Sequence, residues 1–253
     1  MRIGIMQGRL LPPEPERVQA FPRARWQEEF SLAAAAGFDS IEWIYDLYGE
    51  DVNPIASDEG IQCMLALASV PVNSLCADYC KETATLDPTK LVWLLDRCRL
   101  AGISRLVLPL LEAADIQSPA QAERAIAVLR EVLPEAARRQ VEIDLETALA
   151  PALFAAFLDA LPHPSLKVNY DSGNSAALGY SLTEEFAAYG HRIGSIHIKD
   201  RLLHGPSVPL GTGSVDFGLL FRSLNRLDYP GDVVLEIPRE SPGRQLAWLR
   251  SWL

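Results

Sequence analysis

The chain has 253 residues, 49 % of them hydrophobic and 22 % charged, a composition that excludes disordered and fibrous classes. Lys plus Arg number 23 against 33 Asp plus Glu, and the formal charge of −10 argues against a surface that neutralises a nucleic-acid backbone. A small molecule held by a few local cations is the partner this balance leaves, with homo-oligomerisation open.

Short β-rich runs alternate with helical stretches from end to end. Strands are predicted over residues 2–6, 40–44, 72–77, 105–110, 141–146, 166–171, 193–199 and 232–237. Most are continuous apolar runs with β-branched residues, the pattern of parallel strands buried on both faces. Helices are predicted over 24–36, 57–68, 88–101, 119–139, 151–161, 183–189, 216–227 and 241–253. Ser118 before Pro119 reads as an N-cap with proline at the first helical position. Gly37, Gly102 and Gly190 read as helix-closing glycines. Strict alternation of eight strands and about eight helices predicts an α/β fold, a (β/α)8 TIM barrel forming a single domain over residues 1–253. A doubly wound open sheet is the alternative. No apolar run reaches the roughly 18 residues of a membrane helix, and the N-terminus turns polar too soon for a signal peptide. The four cysteines (Cys63, Cys76, Cys80, Cys98) contain no CxxC pair. A cytoplasmic protein with buried, reduced thiols is expected.

In such a barrel, functional side chains gather where the strands end. The first strand ends Met6-Gln7-Gly8-Arg9, and the second carries Glu42. The fifth ends Ile143-Asp144-Leu145-Glu146 and the sixth Val168-Asn169-Tyr170-Asp171. The seventh reads Ile196-His197-Ile198-Lys199-Asp200 and the eighth Leu235-Glu236-Ile237. Glu146, Asp171, His197 and Glu236 thus follow one another at spacings of 25, 26 and 39 residues, one ligand-type side chain per unit. Buried carboxylates are costly unless paired or bound to a cation. Three acids and one imidazole at one mouth point to one divalent metal, and the donor set suits Mn2+, Mg2+, Co2+ or Zn2+.

Other strand-end residues are candidates for substrate binding. Arg9 and Arg201 are candidate clamps for a substrate anion or phosphate. Glu42 is either a partner for substrate hydroxyls or half of a buried salt bridge. Asp200 is a support for His197 or a further substrate contact, and Lys199 and Asn174 complete the group. His204 lies in the Gly/Pro-rich stretch 201–215, long enough to cover a substrate. Trp43, Tyr45 and Tyr79 are pocket wall or packing.

The run Val168-Asn169-Tyr170-Asp171-Ser172-Gly173-Asn174-Ser175, with Ile196-His197-Ile198-Lys199-Asp200 and Leu145-Glu146, resembles the xylose-isomerase-like sugar isomerase/epimerase superfamily of barrels. Met6-Gln7-Gly8-Arg9-Leu10 and Gly211-Thr212-Gly213-Ser214-Val215-Asp216-Phe217 fit the same resemblance, which spans nearly the whole chain. It implies a mononuclear divalent-metal site with Glu146, Asp171, His197 and Glu236 at the four ligand positions. It also implies that the two glutamates move the proton, one on each face of the substrate, as in the family's ketose 3-epimerases. A metal chelated by a carbonyl and its neighbouring hydroxyl stabilises the enediolate formed when a carboxylate removes the adjacent proton. Return to the opposite face is epimerisation; return to the next carbon is isomerisation. Which glutamate is the base stays open.

Two departures stand out. Asn174 occupies a position where several relatives carry histidine, and Ala152 one where the ketose 3-epimerases carry a substrate-contacting glutamate. The superfamily's DNA-repair branch needs three zinc ions and several early histidines; here there are four histidines, the first being His163. No dinucleotide fingerprint, P-loop or nucleophile elbow is present. The expected function is a divalent-metal-dependent sugar or sugar-phosphate isomerase/epimerase. The alternatives are a keto-polyol (inosose-like) dehydratase on the same site, and a non-catalytic sugar-binding barrel.

Overall fold

The computed structural model describes all residues except Glu16, Val18, Lys81, Glu240, Ser241 and Leu253. Eight parallel strands close a ring. They are β1 (Ile3–Met6), β2 (Ser40–Ile44), β3 (Val72–Cys76), β4 (Arg105–Leu110), β5 (Glu142–Thr147), β6 (Leu166–Asp171), β7 (Ile193–Ile198) and β10 (Val233–Leu235), with β10 returning to β1. An antiparallel hairpin of β8 (Asp200–Arg201) and β9 (Ser207–Val208) follows β7. The fold is the expected single-domain (β/α)8 barrel.

Around the ring run α1 (Glu28–Ala36), α2 (Asp58–Leu67), α3 (Pro88–Leu100), α4 (Pro119–Arg139), α5 (Pro151–Asp159), α6 (Ser172–Leu178), α7 (Leu182–Tyr189), α8 (Phe217–Arg226) and α9 (Pro242–Arg250). Helix α4 starts as its sequence dictates: Ser118 caps the Gln121 N–H and Pro119 opens the first turn. Helix α1 is shorter than expected, because residues 23–27 form turns instead. The predicted ends of α9 at Ser241 and Leu253 lie outside the described residues. Gly37 and Gly102 take positive φ past their helices, but Gly190, with φ −55, continues from α7 into a 3-10 turn. No described helix is long and apolar enough to cross a membrane.

Alternation along each strand sets the inside of the barrel against the outside. On β5, Ile143 and Leu145 join the apolar core shared with the helices, so Asp144 and Glu146 turn inward. Trp43 belongs to the outer packing, against Phe21, Trp26 and Phe30, and Tyr45 packs on Tyr79 and Trp93. These rings are packing. Of the cysteines, Cys63 is exposed, contrary to expectation, and the other three are buried; all are free.

The register steps by one residue at two places in the ring, between Ile41 and Glu42 against β3 and between Val168 and Asn169 against β7. Each step brings a serine opposite a polar partner, Ser74 to Glu42 and Ser195 to Asn169. Gly194 makes the second step possible, since a Cβ there would lie 2.7 Å from Asp144 Oδ2. Such steps re-aim side chains at barrel rims.

The loop after β1 is tied down by Glu29 on α1. Both of its oxygens accept from the Gly8 N–H, at 2.7 and 2.9 Å, while Arg239 Nε donates to the Gly8 carbonyl. Gly8 has φ +82, which favours glycine. Burial pushes the Glu29 carboxyl up to about 7, against the opposing pull of those backbone donors. A carboxyl raised on folding binds its proton more tightly in the folded chain, so its stability contribution falls as pH climbs from about 4.5 to about 7. Wild type is therefore expected to lose stability relative to Glu29→Gln between pH 5 and pH 8, by up to about 3 kcal/mol. Urea unfolding of both proteins at the two pH values checks this, and a gap that moves the other way contradicts it.

Candidate metal centre

Four strand ends deliver the cluster. Glu146 is the next-to-last residue of β5, Asp171 ends β6, His197 lies in β7, and Glu236 follows β10, where its N–H still bonds the Ile198 carbonyl. Ligand atoms of Glu146, Asp171 and His197 all lie within 4.8 Å of one another, and all three residues are buried. Glu236 joins them, its Oε2 3.4 Å from His197 Nδ1, with Glu146 Oε2 3.7 Å from the same nitrogen. His197 Nδ1 is hydrogen-bonded to neither carboxylate, and Asp171 Oδ2 is likewise a buried atom without a hydrogen bond.

Each member is oriented from behind. His197 Nε2 donates to Glu42 Oε1 at 2.8 Å, and Ser74 Oγ donates to Glu42 Oε2 at 2.6 Å. Such a carboxylate fixes the ring and aims the other nitrogen at the centre, where a cation would take the place of its proton. Asp171 Oδ1 caps α6 by accepting the Asn174 N–H at 2.7 Å, which frees Oδ2 for the cluster. Glu146 is held by two amides: Asn169 Nδ2 on Oε2 at 2.7 Å and Asn174 Nδ2 on Oε1 at 2.8 Å. Glu236 Oε1 accepts from Lys199 Nζ at 2.7 Å and Arg9 Nη2 at 3.1 Å. Lys199 also stands 3.6 Å from Asp171 Oδ2.

Electrostatics separates the two glutamates. Burial, and then the neighbouring Asp171, pushes the Glu146 carboxyl up to about 7. Burial also raises Asp171, with Lys199 opposing. Glu236 is equally buried, yet Lys199, His197 and Arg9 hold it well below the usual carboxylate range. Burial opposes the charged form of His197, and Glu42 with the other acids overrides it and raises the imidazole well above its ordinary value.

The surrounding candidates divide. Arg9, Lys199 and Asn174 touch the cluster directly. Arg201 stands one step back, with Nη1 on Asn174 Oδ1 at 2.9 Å and the rest of its guanidinium on the Gly205 carbonyl. Three further candidates stand apart from the cluster's open side or have their polar atoms engaged within the protein. Glu42 is 1 % exposed with both oxygens committed to His197 and Ser74. Asp200, also 1 % exposed, accepts the N–H groups of Gly211, Gly213 and Val215 and so anchors the loop. His204 is exposed at the turn of the β8–β9 hairpin with φ +53, its N–H on the Ala177 carbonyl. Asn169 was not singled out from the sequence, although its place two residues before Asp171 puts it on the same side of β6.

Glu146, Asp171 and His197 form a buried candidate metal site, with the donor set of a hard or borderline divalent cation. The two buried atoms without hydrogen bonds, one nitrogen and one carboxylate oxygen, are the kind of donors such an ion completes.

Comparison with known proteins places this arrangement. A putative L-ribulose-5-phosphate 3-epimerase, SgbU, of Escherichia coli K12 is 32 % identical over 105 residues, which is 38 % of this chain and 37 % of that protein. The matched part thus spans well under half of that relative. A putative hydroxypyruvate isomerase of Danio rerio is 26 % identical over an alignment covering 96 % of this chain and 91 % of that one. Among solved structures, D-psicose 3-epimerase with D-tagatose from Clostridium cellulolyticum H10 superposes with a TM-score of 0.77 at 16 % identity, covering 100 % of this chain and 99 % of the other. Residues 30–253 match the family described as Xylose isomerase-like TIM barrel, and the chain belongs to that family.

Proposed function

We propose that this chain is a divalent-metal-dependent isomerase or epimerase of a ketose or ketose phosphate, working by proton transfer through an enediolate. The observation that carries this reading is a pair of buried atoms without hydrogen bonds, Asp171 Oδ2 and His197 Nδ1, the latter set between Glu146 and Glu236. Glu146, Asp171 and His197 would hold the cation, with Glu236 as the fourth ligand. When bound, it supplies polarisation of the substrate carbonyl and stabilisation of the negative charge that develops on it.

The chain's own residues do the rest. A proton on the carbon beside a carbonyl passes to one of Glu146 and Glu236 and returns from the other. Asn169 and Asn174 keep the Glu146 carboxylate in place. Lys199 and Arg9 keep Glu236 ionised and fix its Oε1. Glu42 acts at a distance from substrate, by holding His197. Glu42→Ala is therefore expected to weaken Mn2+ binding by about 10- to 100-fold in a calorimetric titration. Unchanged affinity contradicts that role.

The relatives indicate the substrates to try: L-ribulose 5-phosphate, hydroxypyruvate, D-psicose and D-tagatose. Incubation with Mn2+ in D2O, read by proton NMR, should show a new isomer or epimer with deuterium entering at one carbon adjacent to the carbonyl. Loss of water from the product would mean a dehydratase instead. A chain that binds Mn2+ but leaves every ketose and ketose phosphate unchanged, with no exchange, contradicts the proposal.

A further inference from the structure

We propose that Arg201 is a positioning residue for Glu146, acting through the amide of Asn174, and that it does not clamp the substrate. This rests on the reading of Glu146 as metal ligand and proton carrier. All three guanidinium nitrogens are engaged within the protein: Nε and Nη2 donate to the Gly205 carbonyl at 3.1 and 2.9 Å, and Nη1 donates to Asn174 Oδ1 at 2.9 Å, which uses three of the five N–H groups. Arginine has no acceptor, so its approach to Oδ1 settles which end of the amide is which. Asn174 Nδ2 then faces Glu146 Oε1, where it donates at 2.8 Å. Ser195 does the same for Asn169, donating to its Oδ1 at 2.8 Å and leaving Nδ2 on Glu146 Oε2. Both oxygens of Glu146 therefore rest on amides whose orientation is set one step further out.

The two supports differ in where they come from. Ser195 is fixed in β7, inside the ring. Arg201 belongs to the β8–β9 hairpin, which is pinned to α6 by the His204 N–H on the Ala177 carbonyl and to the following loop by the Ser214 N–H on the Arg201 carbonyl. Asn174 sits in α6, whose N-cap is Asp171 itself. The hairpin, α6 and two members of the metal cluster are thus one connected unit. A charge-assisted bond from Arg201 also polarises the amide and strengthens its grip on the carboxylate. The Asn174 amide supplies an acceptor for Arg201 and a donor for Glu146 on one planar group.

A double-mutant cycle on Mn2+ affinity tests this without reference to turnover. Arg201→Met and Asn174→Ala are each expected to weaken Mn2+ binding by roughly tenfold or more. The double variant should be no weaker than the worse single one, because both remove the same chain of contacts. Arg201→Lys, which keeps a donor for Oδ1, should recover part of the loss. Effects that multiply in the double variant, or single-variant affinities within twofold of wild type, overturn the proposal. With a ketose that wild type turns over, kcat should fall in Arg201→Met while KM stays within about threefold; the reverse pattern identifies a substrate clamp and also overturns it. If wild type binds no Mn2+, the function proposed above fails, and crystals of Arg201→Met then decide the inference separately. A Glu146 carboxylate that keeps its wild-type position overturns it; a turned Asn174 amide with a displaced carboxylate supports it.

Discussion

Glu146→Gln and Glu236→Gln are each expected to lower turnover by at least about a thousandfold while leaving the barrel folded. A positioned general acid or base contributes roughly 10²- to 10⁴-fold, and in the proposed function each glutamate would also be a ligand of the cation. Glutamine keeps the shape but not the charge. At position 146 its NH2 must face one of two donors, Asn169 Nδ2 or Asn174 Nδ2, so one contact becomes a donor–donor clash. At position 236 it leaves Lys199 and Arg9 without their shared carboxylate. The metal-free variants should then part company in stability. Glu146 is raised to about 7 by burial, so its ionised form is a burden above that pH, and removing the charge offsets the donor–donor clash, leaving this variant the less destabilised of the two. Glu236 is held well below the usual range by its cations, so its ionised form stabilises the fold and its replacement weakens it. Chelator-treated samples unfolded in urea at pH 8 check the order. Activity within tenfold of wild type for either variant contradicts the proton-transfer roles.

Loading the centre should raise thermal stability, and His197→Ala should abolish the rise. A ligand that binds only the folded chain stabilises it by about 2.7 kcal/mol at a hundred times its Kd. For a chain of this size that corresponds to a shift of about 5 to 10 °C. The physical origin is the crowding of Glu146, Asp171 and Glu236 around His197, which Lys199 and Arg9 relieve mainly on the Glu236 side. Asp171 Oδ2 has only the more distant Lys199 contact at 3.6 Å, so a cation gains most there. Scanning calorimetry of chelator-treated protein with and without Mn2+ makes the comparison. An equal shift in wild type and His197→Ala assigns the binding to another place on the surface.

Much of this was legible in the sequence, for physical reasons. Buried parallel strands must be apolar, so runs such as Leu166–Asp171 announce themselves, and an acid at the end of such a run has to be explained. What the sequence hid was mostly non-local. Nothing near Glu42 shows that its partner is His197, 155 residues away, and that both its oxygens are spoken for. Asp200 looked like a neighbour of the site, but its partners are backbone N–H groups of residues 211–215. Helix α6 was missed because Ser172-Gly173-Asn174-Ser175 has the composition of a loop. The Asp171 cap and Gly179, at φ +76, define its two ends. The β8–β9 hairpin was hidden in the same way, inside a Gly/Pro-rich stretch.

Crystals soaked in Mn2+ and measured for anomalous scattering probe the buried centre most directly. A single strong peak bonded to His197 Nδ1 and Asp171 Oδ2, with Glu146 and Glu236 completing its ligands, is the predicted result. No peak inside the barrel, with Lys199 and Arg9 still closing the space between the carboxylates, would show that this chain keeps the family's fold without its metal chemistry.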